Sequence, residues 1–161
     1  MAEILILRHH TITTKVNAKL VDIFLKEQGF ECQITAPIDF VTPGVDQHEM
    51  QEKIALLVPD DNAILFIFFE ANLGYPGREI LTHSTIEVLK YLSQKCPEAM
   101  IVLKSNTRRA IKQAIDILKQ ESFPLEQVIA QEGVTQLTDE LKEMIREKFY
   151  QLERSCSLSM A

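Results

Sequence analysis

The residues best suited to chemistry follow two runs of apolar residues. Glu70 comes directly after seven consecutive apolar residues, 63–69, and Lys104 follows the apolar run 100–103. Unbroken runs of this length are typical of strands that are buried on both faces of a parallel sheet. Because binding and chemistry gather at the carboxyl ends of parallel strands, Glu70 marks where a site is expected. A carboxylate there can act as an acid or a base, or it can pair with a cation.

Two turn-forming segments near these strand ends are suited to binding an anion. Residues 72–78 contain two glycines and a proline, and residues 105–109 precede a helical pattern. Backbone N–H groups at such helix starts attract anions, and Arg8 and Lys104 would add positive charge. Neither segment matches a P-loop or a dinucleotide fingerprint, so ordinary helix capping is the alternative explanation. The side chains of these segments that would contact an anion or a partner are Asn72, Arg78, Arg108 and Arg109.

Length and composition favour one globular domain that is not built for nucleic acid. The chain has 161 residues, with 46% hydrophobic and 25% charged residues and a net charge of -6. We expect one domain over 1–154 and a flexible tail over 155–161. The negative charge argues against DNA or an anionic membrane as the main partner. Three widely spaced cysteines and four histidines without ligand spacing predict a cytoplasmic protein with no disulfide framework, no metal and no cofactor.

The elements that would position these residues alternate along the whole chain. Apolar runs predict strands, and apolar residues at helical spacing predict the helices between them. In the first helix the predicted buried stripe is Val16, Leu20, Ile23 and Phe24. Five strands alternating with five helices predict a three-layer α/β/α domain with a doubly wound, five-stranded parallel sheet. The predicted strands are 3–8, 30–35, 63–69, 100–103 and 125–130, and the predicted helices begin near 14, 46, 78, 107 and 138.

This pattern resembles the receiver domains of two-component signalling, which have a flavodoxin-like fold. The resemblance covers about residues 4–146. ILILRHH resembles the receiver opening, and FEANLGYPGREIL resembles the segment with the phospho-accepting aspartate. MIVLKSNTRRA resembles the fourth strand and the following helix start, and VIAQEGVTQLTDELKEMI resembles the last strand, loop and helix. The wing domains of bacterial amino-acid decarboxylases have a similar shape and have also lost receiver chemistry.

The departures from the receiver pattern imply that phosphorylation is lost. The acidic pair that would hold magnesium falls on Arg8 and His9, and the phospho-acceptor position falls on Glu70. A pocket with two basic residues and one carboxylate would repel a divalent cation. Glu70 could mimic a phosphorylated aspartate, pair with Lys104 or Arg8, or only hydrogen-bond the next loop. The resemblance places the hydroxyl position of the pocket on Lys104 or Ser105, and its lysine position on Gln131.

Three hypotheses follow, and they belong to different classes of protein. The first is a non-catalytic, receiver-like signalling domain that binds a protein partner through the helices near 107–120 and 138–152. Exposed Arg108, Arg109, Lys112 and Lys119 would supply the complementary charge there. The second is a small enzyme or ligand-binding protein that holds a phosphate or nucleotide at the strand ends. The third is a structural subunit that forms a homodimer or a larger assembly.

Overall fold

A computed structural model of the chain describes seven segments of the protein. These are residues 2–7, 11–35, 47–57, 64–70, 83–105, 107–133 and 136–160. They form five strands and five α-helices, with one short 3₁₀ turn at Leu125–Gln127. The strands are β1 (Glu3–Leu7), β2 (Gln33–Thr35), β3 (Ile64–Glu70), β4 (Met100–Ser105) and β5 (Val128–Glu132). The helices are α1 (Thr11–Gln28), α2 (Gln47–Leu57), α3 (His83–Lys95), α4 (Arg108–Gln120) and α5 (Asp139–Met160).

All five strands are parallel, and they lie in the order β2-β1-β3-β4-β5. This is the flavodoxin-like order, so the predicted three-layer, doubly wound architecture is confirmed. The order changes direction between β1 and β3, and the segments that follow these two strands lie outside the described residues.

Two apolar cores lie on opposite faces of the sheet. Successive side chains of a strand point to opposite faces, so Phe66 and Phe68 pack on one side of β3, and Ile67 and Phe69 pack on the other. The first core is completed by α1 and α5, and the second by α3 and α4, with α2 beside α3. Both faces of β3 are buried, which explains its unbroken apolar sequence.

Several elements end at places that the apolar pattern does not mark. β4 continues through Lys104 and Ser105, because both polar residues are buried and Lys104 has hydrogen-bond acceptors inside the fold. β3 includes Glu70 as its last residue, so this residue belongs to the strand and does not follow it. α5 runs to Met160 and includes residues 155–160 of the predicted tail. The described part of α3 starts at His83, and the predicted start near 78 lies outside the described residues.

The buried face of α1 differs from the predicted stripe. Ile23 was expected in the core, but it is 44% exposed, and Val16 and Leu20 are only half-buried. Asn17 is instead 1% exposed, on the same face as Val21 one turn later. The predicted stripe was right for Phe24 and wrong for Ile23, because the buried face is turned toward the polar Asn17, which an apolar pattern does not mark. Among residues 15–28 of this helix, the buried ones are Asn17, Val21, Phe24 and Leu25.

Candidate functional site

Three of the predicted site residues form one row across the sheet. In the β3–β4 pairing Glu70 lies opposite Lys104, and in the β4–β5 pairing Lys104 lies opposite Gln131. All three lie at or near the carboxyl ends of their strands, where the open face of a doubly wound sheet presents its site. The backbone therefore brings Glu70, Lys104 and Gln131 into neighbouring positions.

The side chain of Lys104 is completely buried. Its exposed fraction is 0%, and it extends to the α1/α5 side of the sheet, where Val102 of the same strand also packs. The ammonium Nζ donates to Oδ1 of Asn17 at 2.9 Å and to the backbone carbonyl of Gln136. It also lies 5.5 Å from the centre of the Phe68 ring, within the range of a cation–π contact.

Burial of this ammonium requires internal partners. Removing a charged group from water costs several kcal/mol unless hydrogen bonds replace its hydration. Asn17 and the Gln136 carbonyl supply acceptors from two different parts of the chain. Lys104 therefore joins β4, α1 and the segment that leads into α5. It is a structural cation within the strand-end site.

Gln131 connects β5 to the start of α5. Its side chain is 8% exposed, and its Nε2 donates to the hydroxyl oxygen of Thr138. The same hydroxyl accepts from the backbone N–H of Leu141 at 3.3 Å, so Thr138 caps α5 as its sequence position predicted. The Oε1 of Gln131 has no hydrogen-bond partner among the described residues. Gln131 thus helps to fix the start of α5 through Thr138, which lies two residues after the Gln136 carbonyl that Lys104 binds.

Ser105 contributes through its backbone. Its carbonyl accepts a 2.7 Å hydrogen bond from the N–H of Gly133, and the residue is 9% exposed. Gly133 has a φ of +94°, a left-handed conformation that favours glycine. This bond ties the end of β4 to the residue that follows β5, three positions before Gln136 in the sequence.

The basic residues of α4 are exposed, as predicted. The Nε of Arg108 lies 3.0 Å from a carboxylate oxygen of Glu132 in β5, but the Arg108 side chain is 92% exposed. Such an exposed ion pair contributes little stability, because solvent screens it. Arg109, Lys112 and Lys119 are exposed on the same helix. These four residues form a surface on α4 and are not part of the buried cluster around Lys104.

Some of the predicted site residues lie outside the described residues. These are Arg8, His9, Asn72 and Arg78, together with the side chain of Glu70. The ion pairs that were predicted between Glu70 and Lys104 or Arg8 therefore remain predictions.

Three residues with direct roles in the cluster were missed by the sequence analysis. Asn17 and Gln136 hold Lys104, and Thr138 receives Gln131 in addition to capping α5. A signal existed for Asn17, which lies four and seven residues before the buried Val21 and Phe24 and so shares their helix face. No local signal marks Gln136, because the acceptor is its backbone carbonyl.

Comparison with known proteins does not assign a family. The chain matches no protein-family model, and the search of curated proteins finds no match. Within the described segments, no helix is both long enough and apolar enough to cross a membrane. The same segments contain no group of three histidine, cysteine or acidic side chains that could hold a metal ion.

Proposed function

We propose that this chain is a non-catalytic, receiver-like interaction domain with Glu70 in the place of the phospho-acceptor. The observation that carries the proposal is the burial of Lys104. A cation that serves phosphoryl chemistry must reach an incoming phosphate, but the Lys104 ammonium is held by Asn17 and Gln136 inside the protein. The Lys104 ammonium therefore stabilises the structure around the strand ends and does not face a bound phosphate.

The partner surface in this proposal is the exposed face of α4. The helix carries four basic residues and one acidic residue, a net charge of +3, within a chain whose net charge is -6. A local positive surface on an acidic protein favours an acidic protein partner and disfavours nonspecific polyanions. The ion pair between Arg108 and Glu132 leaves Arg108 highly exposed, so it remains accessible to a partner carboxylate.

A pair of matched charge reversals tests this surface. One variant combines Arg108→Glu with Arg109→Glu on α4, and the control combines Lys15→Glu with Lys19→Glu on the exposed side of α1. Each variant changes the net charge by the same amount. We expect a stoichiometric partner, captured from the native source and measured by titration, to bind the control variant normally and the α4 variant at least tenfold more weakly. Equal binding of both variants would show that α4 is not the partner surface.

The loss of receiver chemistry is tested separately. The purified protein is incubated with magnesium and a small phosphodonor, and its intact mass is measured. We expect no added phosphoryl group, because Glu70 replaces the acceptor and Lys104 is buried. Phosphorylation of Glu70 would refute the proposal. A rise in melting temperature with inorganic phosphate or nucleotides, lost in Lys104→Met, would favour the ligand-binding hypothesis instead.

A further inference from the structure

A cleft of about 450 Å³ opens between α1 and the start of α5. One wall is formed by Leu20, Ile23 and Phe24 of α1, and the other by residues 136–138. The walls come from parts of the chain that are more than 100 residues apart, so their separation depends on contacts between α1 and the segment that leads into α5.

Lys104 links these two parts of the chain. Its ammonium donates to Asn17, which lies one turn before Leu20 in α1, and to the carbonyl of Gln136, which lines the opposite wall. A second bond, from Gln131 to Thr138, ties the same wall to β5. One buried charge at the end of β4 is therefore bonded to the helix that carries one wall and to Gln136 of the other wall.

We propose that Lys104 is a clamp that sets the separation of the two cleft walls. The ammonium cannot leave one acceptor without losing a charge-assisted hydrogen bond in a site that water does not reach. A change in the position of the β4 end moves both walls together, because the same Nζ holds both. The strand-end row of Glu70, Lys104 and Gln131 is thereby linked mechanically to the α1/α5 surface. This inference does not depend on whether α4 binds a partner.

A purely structural lysine would stabilise the whole domain evenly, whereas a clamp acts on two segments. Amide hydrogen exchange followed by mass spectrometry separates these cases, because it reports local opening along the chain. The main variant is Lys104→Met, which keeps an unbranched side chain and removes the charge. The matched control is Gln136→Ala, which changes the side chain but keeps the backbone carbonyl that accepts from Lys104.

In Lys104→Met we expect exchange to rise about tenfold to a hundredfold in peptides 17–27 and 136–142, the range for loss of a hydrogen bond to a charged group. Exchange in α3 and α4 should stay within about twofold, the scatter expected away from the change. In Gln136→Ala both walls should keep the exchange rates of the unmodified protein. An equal increase in every segment, or unchanged walls in Lys104→Met, would overturn the clamp.

A second variant keeps the test decisive if Lys104→Met does not fold. Asn17→Leu removes the acceptor on α1 and keeps the bond from Lys104 to Gln136. We expect faster exchange in peptide 17–27 with little change in 136–142. Equal loosening of both walls, or none, would contradict a clamp with two separate arms.

Discussion

Gln127 offers a stability test that follows directly from its contacts. The residue lies just before β5 and is 8% exposed. Its Nε2 donates to the carbonyls of Cys96 and Ala99 at 2.9 and 2.8 Å, and its Oε1 accepts from the Ser93 hydroxyl at 2.6 Å. Cys96 and Ala99 are both 0% exposed, so water cannot replace the amide as a donor. One side chain thus satisfies two buried carbonyls in the turn between α3 and β4.

We expect Gln127→Leu to lower the free energy of unfolding by about 3 kcal/mol, since each of three hydrogen bonds contributes about 1 kcal/mol. Leucine has a similar size, so the loss comes from the three missing hydrogen bonds and not from a cavity, although the Cys96 carbonyl keeps the backbone N–H of Ala99 as a donor. Urea denaturation followed by circular dichroism measures the change, with the slope of the transition expected to stay constant. The matched control is Gln113→Leu on the exposed side of α4, which should change stability by less than about 0.5 kcal/mol.

A double-mutant cycle isolates one of these bonds. Ser93→Ala, Gln127→Leu and the double variant should give a coupling energy of about 1 kcal/mol. If Gln127→Leu is no more destabilising than Gln113→Leu, the bonding pattern that we describe for this turn is incorrect.

Two further predictions concern a thiol and two glycines. Burial, with a smaller effect of Glu3, raises the pKa of the Cys32 thiol from 9.0 to about 12. In the folded protein the alkylation rate of Cys32 should therefore still increase with pH at pH 10. In the urea-unfolded protein the rate should already be constant at that pH. Because the unfolded chain loses this proton first, Cys32 should also make stability fall as pH rises from 9 towards 12; a plateau near pH 9 in the folded protein would contradict both. Replacing Gly29 (φ +73°) or Gly133 (φ +94°) by alanine should lower the free energy of unfolding by about 1 kcal/mol, because alanine is disfavoured at a positive φ. In urea denaturation Gly133→Ala should lower the free energy of unfolding more than Gly29→Ala, because the new Cβ would lie 3.1 Å from the Gln136 side chain, whereas no described atom lies within 4 Å at Gly29. Equal losses of stability at the two positions would refute this contact. A larger loss at Gly133 that persists when Gln136→Ala is also present would refute it as well.

The fold was predictable because its central strands are buried on both faces. A run such as Ile64–Glu70 can be apolar almost throughout only where helices cover both sides of the sheet. The alternation of such runs with helical patterns then limits the topology to a few parallel arrangements. The end of β4 was harder to predict. Lys104 and Ser105 look like a loop in sequence, although both belong to the strand.

The candidate site was predictable only in part, because its contacts are distant in sequence. The receiver resemblance singled out Glu70, Lys104 and Gln131, but only the strand pairing shows that they lie in one row. The burial of Lys104 was not predictable, since its acceptor Asn17 lies 87 residues away and another acceptor is a backbone carbonyl. Periodicity alone also misplaced the buried face of α1, where a polar residue takes a core position to hold this lysine.

The buried lysine also has a consequence for how β4 finds its place during folding. Residues 101–103 are apolar, and each would be accepted in either core, so hydrophobicity alone does not distinguish one pairing of this strand from a pairing shifted by one residue. A shift of one residue would turn every side chain to the opposite face and carry Lys104 away from Asn17 into the apolar cluster beneath α3 and α4. A charge stranded there costs several kcal/mol. Lys104 therefore selects one pairing register for β4, a strand whose apolar residues would fit in either core.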